Sequence, residues 1–516
     1  MSTVDIRKDL TQRNANVENE GAPRHGSPEL TTHLLIDGDW CAASSADTFP
    51  VFNPARPDEL VGHAAGATPH DVDRACSAAH KAFPRWAALT YAERADYLLR
   101  IAQALQSDAE DLEARTRLFT REHGKILREA ALELSRLGER FVLTASYAQE
   151  LSKEKQLPGP PFDTVVYRQP RGVAALIVPW NWPLSILGAK LPQALLAGNT
   201  VVIKPSRESC LTPALTIRRM AEMLPPGVIN MVTGSSAVIG DPLLTHPLVR
   251  KINFTGSIGV GRRVMVKAAE NLTPVTLELG GNDAGLVLND ACLDEAAFQR
   301  MFSGIFLSSG QICMALKRLY VHESRYDDVV AGLTKIAERQ VVGDGLLPEV
   351  SMGPLNNREQ FNIVRSLISE AKASGCDVRE CGNIHNAEEF EQGYFVRPTF
   401  VLNPDQRMRV VTEEQFGPVI PIMSFADDEE AIDLANATNF GLCSSVWSSD
   451  NQRAMRVARR LEAGYTYLNA HGPTAQDNRG PFGGFKHSGI GRNLGFEGVV
   501  EFQDYHTISS APGWLL

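Results

Sequence analysis

The sequence predicts an α/β chain of more than one domain, organised around doubly wound parallel sheets, and three observations carry that prediction. First, strand-length apolar runs alternate with helical stretches: AALIVP at 174–179, TVVIKP at 200–205, VINMV at 228–232 and KINFTG at 251–256. Alternation of this kind argues for parallel strands with ligands at their C-terminal ends. Second, 516 residues are too many for one compact core, which implies about two or three domains. Third, the composition is 43% hydrophobic and 22% charged, with no apolar run long enough to span a membrane. A net charge of -10 argues against general nucleic-acid or acidic-membrane binding.

In chain order, the first 30 residues are polar and lack the apolar core of a signal peptide, so they read as a disordered extension on a cytoplasmic protein. A transit peptide is the weaker alternative, because Asp5, Asp9, Glu18 and Glu20 sit in the stretch. Leu34 to Val51 reads as a β-hairpin or two edge strands. Val72, Ala75, Ala79 and Phe83 give a helical period over 71–83, and Thr90 with Glu93 signs a capping box before a second helix. Ile126, Ala130, Leu134 and Leu137 mark a third long helix running towards residue 150. The Pro-rich LPGPPFDTVVYRQP then breaks the helical period. A second β/α set follows, with AGLVL at 284–288, KRLYVH at 317–322 and VIPIMSF at 419–425.

Two stretches carry the chemistry. SSGQICMALKR, 308–318, presents Cys313 in a Gly/Ser-rich lead, and LELGGND, 277–283, puts Glu278 at the end of an apolar strand beside two glycines. A thiolate is a strong nucleophile, but a free thiol is mostly protonated at neutral pH and needs help from its surroundings. A carboxylate at a strand end is a place for a general base. The eight cysteines are scattered, and no pair recurs as a zinc ligand set would, so reduced thiols and no metal are expected. FTGSIGVG, 254–261, runs from a strand into a helix, so that Gly256 and Ser257 leave N–H groups at a helix N-terminus suited to a pyrophosphate; a plain strand-to-helix turn is the competing reading.

With ELGG followed about 35 residues later by Gly310-Gln311-Ile312-Cys313, the chain resembles the aldehyde dehydrogenase superfamily from roughly residue 31 to its C-terminus, with at least six motifs in the family's order. The resemblance implies a Rossmann-type cofactor domain (31–148 and 172–278), an α/β catalytic domain (279–496) and a β oligomerisation arm (149–171 and 497–516). It implies NAD or NADP as cofactor, a small-molecule aldehyde as substrate and a homodimer or homotetramer. Cys313 would be the nucleophile, Glu278 the base that hydrolyses the thioester, and Asn181 in PWNWPL an oxyanion donor beside the cysteine's own N–H. Acylating relatives lack this glutamate and pass the thioester to coenzyme A, so its presence favours release of a carboxylic acid.

By the same resemblance Lys190 matches a lysine of a proton relay, although the glutamate partner falls at Asn493, which cannot carry a proton. That leaves Lys190 between a relay role and a structural one. Asn282 stands where common relatives have lysine. Lys204 would contact the adenosine ribose with Ser206 nearby, Pro179, Trp180 and Leu279 would lie beside the cofactor, and Glu414 and Phe416 in EEQFGPV would hold the nicotinamide ribose and ring. Arg207 occupies a position where many NAD-preferring members carry glutamate, so NADP tolerance or preference is one expectation and a solvated arginine with NAD use intact is the other. Trp182, Ile312, Met314 and Phe482 would line an apolar substrate tunnel, widened by Ala189, for an aliphatic or aromatic aldehyde. Arg318 or His471 are the candidates to bind a carboxylate if the substrate is instead a semialdehyde. A catalytically idle binding or structural relative is the non-enzyme alternative, opposed by intact Cys313, Glu278, Asn181 and Glu414.

Overall fold

A computed structural model describes residues 30–157 and 161–511. The expected N-terminal extension therefore lies outside the described residues, apart from Leu30. Two large sheets dominate. In the first, Val275–Glu278, Val249–Thr255, Val173–Ile177, Thr200–Lys204 and Ile229–Met231 lie side by side and parallel. Their residues are nearly all buried, as the continuous apolar runs require when helices cover both faces of a sheet. From the central strand Val173–Ile177 the chain builds outward first on one side and then on the other. The order reverses between that strand and Val249–Thr255, and a crevice forms beyond their C-terminal ends at such a point.

Antiparallel pieces close both edges: the hairpin Leu34–Ile36/Asp39–Cys41 on one, and Gly489–Ile490 against Val275–Glu278 on the other. Gly489–Ile490 belongs to the stretch assigned by sequence to the catalytic domain, so the chain returns late to complete the first sheet. The second sheet runs Asp377–Glu380, Thr399–Leu402, Val419–Phe425, Leu316–His322, Asp283–Val287, Cys443–Trp447 and Tyr465–Leu468, parallel throughout except for its first strand. The chain crosses from the first sheet to the second in the four residues after Glu278. A three-stranded antiparallel sheet pairs Gln503–Ser510 with Asp163–Pro170 and that strand with Lys155–Leu157.

The structure departs from the expected elements in three places. A helix at Ala109–His123, N-capped by Asp108 and ended by Gly124 at φ 91°, has no counterpart in the sequence reading. Its buried face is Arg115, Thr116, Phe119, Thr120, Glu122 and His123, so it lacks the apolar period by which a helix is recognised. Ile126 is the N-cap of the next helix, Leu127–Ala145, rather than part of its apolar stripe. Val499 and Val500 end a short helix, and the C-terminal strand begins only at Gln503. Among the described residues no helix is long and apolar enough to cross a membrane.

Candidate active site

The crevice leads into a cavity of about 300 Å³ lined by, among others, Cys313, Glu278, Asn181, Thr255 and Asn493. Trp182, Ile312, Met314, Phe482 and Ala189 line it too. Cys313 comes from the turn just before Leu316–His322, the central strand of the second sheet, and Glu278 from the C-terminal end of a strand in the first.

The loop carrying Cys313 is held in a strained shape. Ser308 and Ser309 have φ of 54° and 53°, and Gly310 follows at 74°. Left-handed backbone costs a side-chain-bearing residue about 1–3 kcal/mol and persists only where the surroundings over-determine it. Here Ser308 N donates to Glu129 Oε1 at 2.9 Å, Ser309 Oγ donates to the Gly353 carbonyl at 2.8 Å, and Gln311 Oε1 accepts from Asn356 N at 2.9 Å. A Cβ at Gly310 would collide with the Gly417 carbonyl, so the position needs glycine for space as well as for φ.

Asn181 is buried on the turn after Val173–Ile177. Its carbonyl accepts from His123 Nε2 at 2.7 Å and Lys125 Nζ at 3.2 Å, and its Nδ2 donates to the Gln311 carbonyl at 2.9 Å. An amide nitrogen carries two protons. One tethers Asn181 to the cysteine loop, and the other has no protein acceptor among the described residues. Lys125 forms a buried ion pair with Glu133 and lies 4.5 Å from the Trp182 ring centre. Glu133 Oε1 also accepts from Leu184 N at 2.8 Å and Ser185 N at 2.9 Å, fixing the start of the helix Pro183–Gly188.

Glu278 is treated differently. Both of its oxygens are sealed from solvent and have no hydrogen-bond partner among the described residues. Burial pushes its carboxyl up to about 8, against the pull of Lys190 and Arg492. Lys190 is fully buried, and its ammonium donates to Asn253 Oδ1, whose own Nδ2 donates to Asn493 Oδ1 at 2.7 Å. Burial draws Lys190 down to about 7, with Glu278 the strongest opposing charge. The two groups titrate near neutrality and sense each other, so they behave as a coupled pair. Burial also pushes the Cys313 thiol up to about 12, with Lys317 opposing and Glu414, Asp283 and Glu278 adding to the rise. The thiol is therefore protonated at neutral pH until a base takes its proton.

On the cofactor side, Ser257 caps the helix Ile258–Ala269, its Oγ accepting from Val260 N at 3.4 Å, and no atom lies within 4 Å of where a Gly259 Cβ would stand. A Cβ at Gly261 would strike Leu279 at 2.5 Å, and one at Gly256 would strike the Phe254 ring at 2.5 Å, so the glycines let backbone and ring pack closely at an open helix N-terminus. Lys204 is buried at the end of its strand, forms no hydrogen bond or ion pair among the described residues, and is drawn by burial down to about 8. Glu414 Oε1 accepts from Gly281 N at 3.1 Å and pairs with Lys317 at 3.2 Å. Phe416, at φ 50°, sets its ring edge-on to Trp180 with centroids 5.5 Å apart. Open helix N–H groups, an unpartnered cation and a carboxylate beside an aromatic pair fit a nicotinamide dinucleotide laid across the crevice. Arg207 sits with its guanidinium 4.5 Å from the Phe49 ring centre, while Pro179 and Ser206 lie at strand ends on the same side of the sheet.

Two sequence candidates for a substrate carboxylate are corrected. Arg318 spends its donors on the carbonyls of Asn282, Leu434 and Ala435 and on the Tyr320 hydroxyl. His471 is buried 3.8 Å from Asp283. Neither lines the cavity, whereas Arg136 and Arg140 of the helix Leu127–Ala145 do. Sequence reasoning also missed Glu129, Glu133, Lys125 and His123. Apart from the Lys125–Glu133 pair, the contacts that tie them to Asn181, Leu184, Ser185 and Ser308 lie dozens of residues away along the chain, and no local spacing announces them. Asn282, in place of the family lysine, donates to the Val411 carbonyl at 2.8 Å.

A thiol carried by one sheet and a carboxylate carried by the other, lining one cavity beside a dinucleotide crevice, suit oxidation through a covalent thioester. Comparison with known proteins narrows that reading: residues 40–508 match the aldehyde dehydrogenase family, and the chain belongs to that family. It is an oxidoreductase acting on the aldehyde group, with NAD or NADP as acceptor. A chloroplastic aminoaldehyde dehydrogenase of Arabidopsis thaliana is 37% identical, covering 94% of this chain and 98% of the relative. A 3-succinoylsemialdehyde-pyridine dehydrogenase of a Pseudomonas species is 36% identical over 93% and 98%. The crystal structure of betaine aldehyde dehydrogenase from Staphylococcus aureus with NAD+ superposes with a TM-score of 0.87 at 31% identity, covering 94% of this chain and 95% of that one.

Proposed function

We propose that the chain oxidises an aldehyde with an apolar body to its carboxylic acid through a Cys313 thiohemiacetal and thioester. The observation that carries this reading is the pairing of a half-buried thiol with a buried carboxylate that has no hydrogen-bond partner among the described residues, in one cavity walled by Trp182, Ile312, Met314 and Phe482. Glu278 takes the thiol proton, and the Cys313 sulfur attacks the carbonyl carbon. The oxyanion accepts from the second amide proton of Asn181 and from the Cys313 N–H. When bound, the oxidised nicotinamide supplies the hydride acceptor that turns thiohemiacetal into thioester. Lys204, Ser257, Glu414 and Phe416 would hold it. After passing the thiol proton on to water in the cavity, Glu278 takes a proton from the attacking water, whose oxygen adds to the thioester carbon; the tetrahedral oxyanion collapses, the acid departs, and the leaving Cys313 thiolate recovers its proton from Glu278. Lys190 stands by Glu278 as the cation that favours its ionised form.

The relatives' names speak of an aminoaldehyde, a betaine aldehyde and a semialdehyde, so small aldehydes with a cationic end are the competing substrates. The three-stranded sheet leaves Gln503–Ser510 as an edge strand with Tyr505 and Ile508 exposed, and such an edge calls for cover by a second subunit. The test is reduction of NAD and of NADP by aliphatic, aromatic, carboxylated and amino aldehydes, beside Cys313→Ala. Thiol-dependent turnover of apolar-bodied aldehydes, neutral or carboxylated, supports the proposal, and turnover confined to amino aldehydes removes its substrate half.

A further inference from the structure

The cavity that holds Cys313 and Glu278 also holds an arginine that the rest of the protein does not use. Arg140 lies on the helix Leu127–Ala145, one turn beyond Arg136, and both line the cavity. Its stem packs against Gly188, where a Cβ would come within 3.1 Å of Arg140 Cγ, so the glycine gives the arginine its room. Its Nη1 is sealed from solvent without a hydrogen-bond partner, and Arg140 makes no ion pair among the described residues. The two charges felt most strongly nearby are Arg136, which repels it, and Glu139, which attracts it. Burial draws it down only to about 10, so it stays charged at neutral pH.

A sealed charged donor with nothing to bind is costly, and Arg94 and Arg318 avoid that cost by each donating to three backbone carbonyls. Other polar atoms on the same wall share the condition. Trp182 Nε1 and Asn478 Oδ1 line the cavity and are buried without partners. The cavity is thus apolar along its walls and reactive at the Cys313 end, and it holds the unpaired donors Arg140 Nη1 and Trp182 Nε1 beside an unpaired acceptor, Asn478 Oδ1. Among the described residues its only carboxylates are Glu278, which the proposed chemistry uses, and the exposed Glu139. A cationic tail would meet two arginines against one solvated carboxylate, whereas a carboxylate would supply what Arg140 lacks.

We propose that Arg140 is the specificity-determining residue of the cavity, binding a carboxylate at the end of the substrate remote from the aldehyde. The inference rests on the aldehyde-oxidising reading above and names the substrate class within it: an apolar-bodied aldehyde acid, with cationic aldehydes disfavoured. No new reaction is involved, because the carboxylate is bound and not transformed.

The experiment measures kcat/KM of the full chain for 4-oxobutanoate against pentanal and for 4-formylbenzoate against 4-methylbenzaldehyde, with 4-aminobutanal as the cationic arm, in wild type, Arg140→Leu, Arg140→Lys and Arg140→Glu. The wild type should favour at least one acid over its neutral partner by about tenfold or more. Arg140→Leu should lower that ratio by at least about tenfold, Arg140→Lys should retain part of it, and Arg140→Glu should raise the ratio of 4-aminobutanal to pentanal. A ratio within one enzyme is insensitive to partial loss of folded protein. The proposal is overturned if the acid-to-neutral ratio is the same in wild type and Arg140→Leu, or if the wild type prefers 4-aminobutanal. Neutral aldehydes turning over through Cys313 without such discrimination would sink this inference alone. Absence of Cys313-dependent turnover with every aldehyde would sink the functional reading beneath it.

Discussion

Four glutamates are buried around the active site, and they divide into two regions. Glu122, Glu129 and Glu133, on the helices before the first parallel strand, are each tied to backbone: Glu122 receives Leu211 N at 2.8 Å and Thr212 N at 2.7 Å, Glu129 receives Ser308 N, and Glu133 receives Leu184 N and Ser185 N. Glu278, at the end of a strand in the first sheet, receives nothing. The same split holds for lysines, since Lys125 has a carboxylate whereas Lys190 has only the amide of Asn253. Buried charges that are fully engaged build the platform. Those left unengaged are available to a reacting molecule, and the difference tells scaffold from chemistry without reference to sequence motifs.

The comparison breaks most visibly at the nucleophile. Cys313→Ala should lose aldehyde-dependent cofactor reduction by a factor on the order of 10⁴ or more while still binding cofactor, as measured by steady-state assay and by quenching of protein fluorescence. Glu278→Gln should slow turnover by about 10²–10⁴-fold. Rapid mixing should still show a first-turnover burst of reduced cofactor, because deacylation is the step most dependent on this base; equal loss of burst and turnover would remove that assignment. Thermal unfolding should be no lower than in the wild type, since no hydrogen bond is lost. Glu133→Gln should do the reverse, costing about 3–5 kcal/mol of stability by leaving Lys125 buried without its charge partner. A Glu133 variant that unfolds like the wild type would erase the distinction between the two regions.

Acidity sharpens the same contrast. Glu278 acts as a base only when ionised, and burial holds its carboxyl up at about 8, so the deacylation-limited rate should rise with pH through that region. Lys190 is the foremost charge pulling Glu278 down, so Lys190→Met should move the rising limb to higher pH. A purely structural lysine would lower the rate at every pH and leave the limb in place.

Much of this was legible from the sequence, for reasons that differ by element. The parallel strands were readable because both of their faces are buried, so Val173–Ile177, Thr200–Lys204 and Val419–Phe425 stand out as unbroken apolar runs. Cys313, Glu278 and Asn181 were readable because each sits in a short motif with a chemical requirement of its own. The platform was not. The helix Ala109–His123 buries Arg115, Glu122 and His123 rather than an apolar stripe, and Glu129 meets Ser308 across 179 residues of chain. Arg140 was missed for a related reason: it looks like one more solvated arginine on a charged helix, and only the fold shows that its donor is buried and unpaired.

Arg207 is the case where the same criterion predicts the smallest effect. It lies 4.5 Å from the Phe49 ring centre, an arrangement worth about 0.5–1 kcal/mol at an exposed site, so it is weakly engaged rather than unengaged. A 2'-phosphate offers a stronger, charge-assisted partner, and the guanidinium need give up only that modest contact to reach it. A glutamate at the same position would accept ribose hydroxyls and repel the phosphate. Arg207→Glu should therefore lower the NADP-to-NAD ratio of kcat/KM by about tenfold, read with one aldehyde and both cofactors. An unchanged ratio would mean that Arg207 belongs to the Phe49 stack alone, and that the choice of dinucleotide is made by Lys204 and the Ser257 helix end, which accept either form.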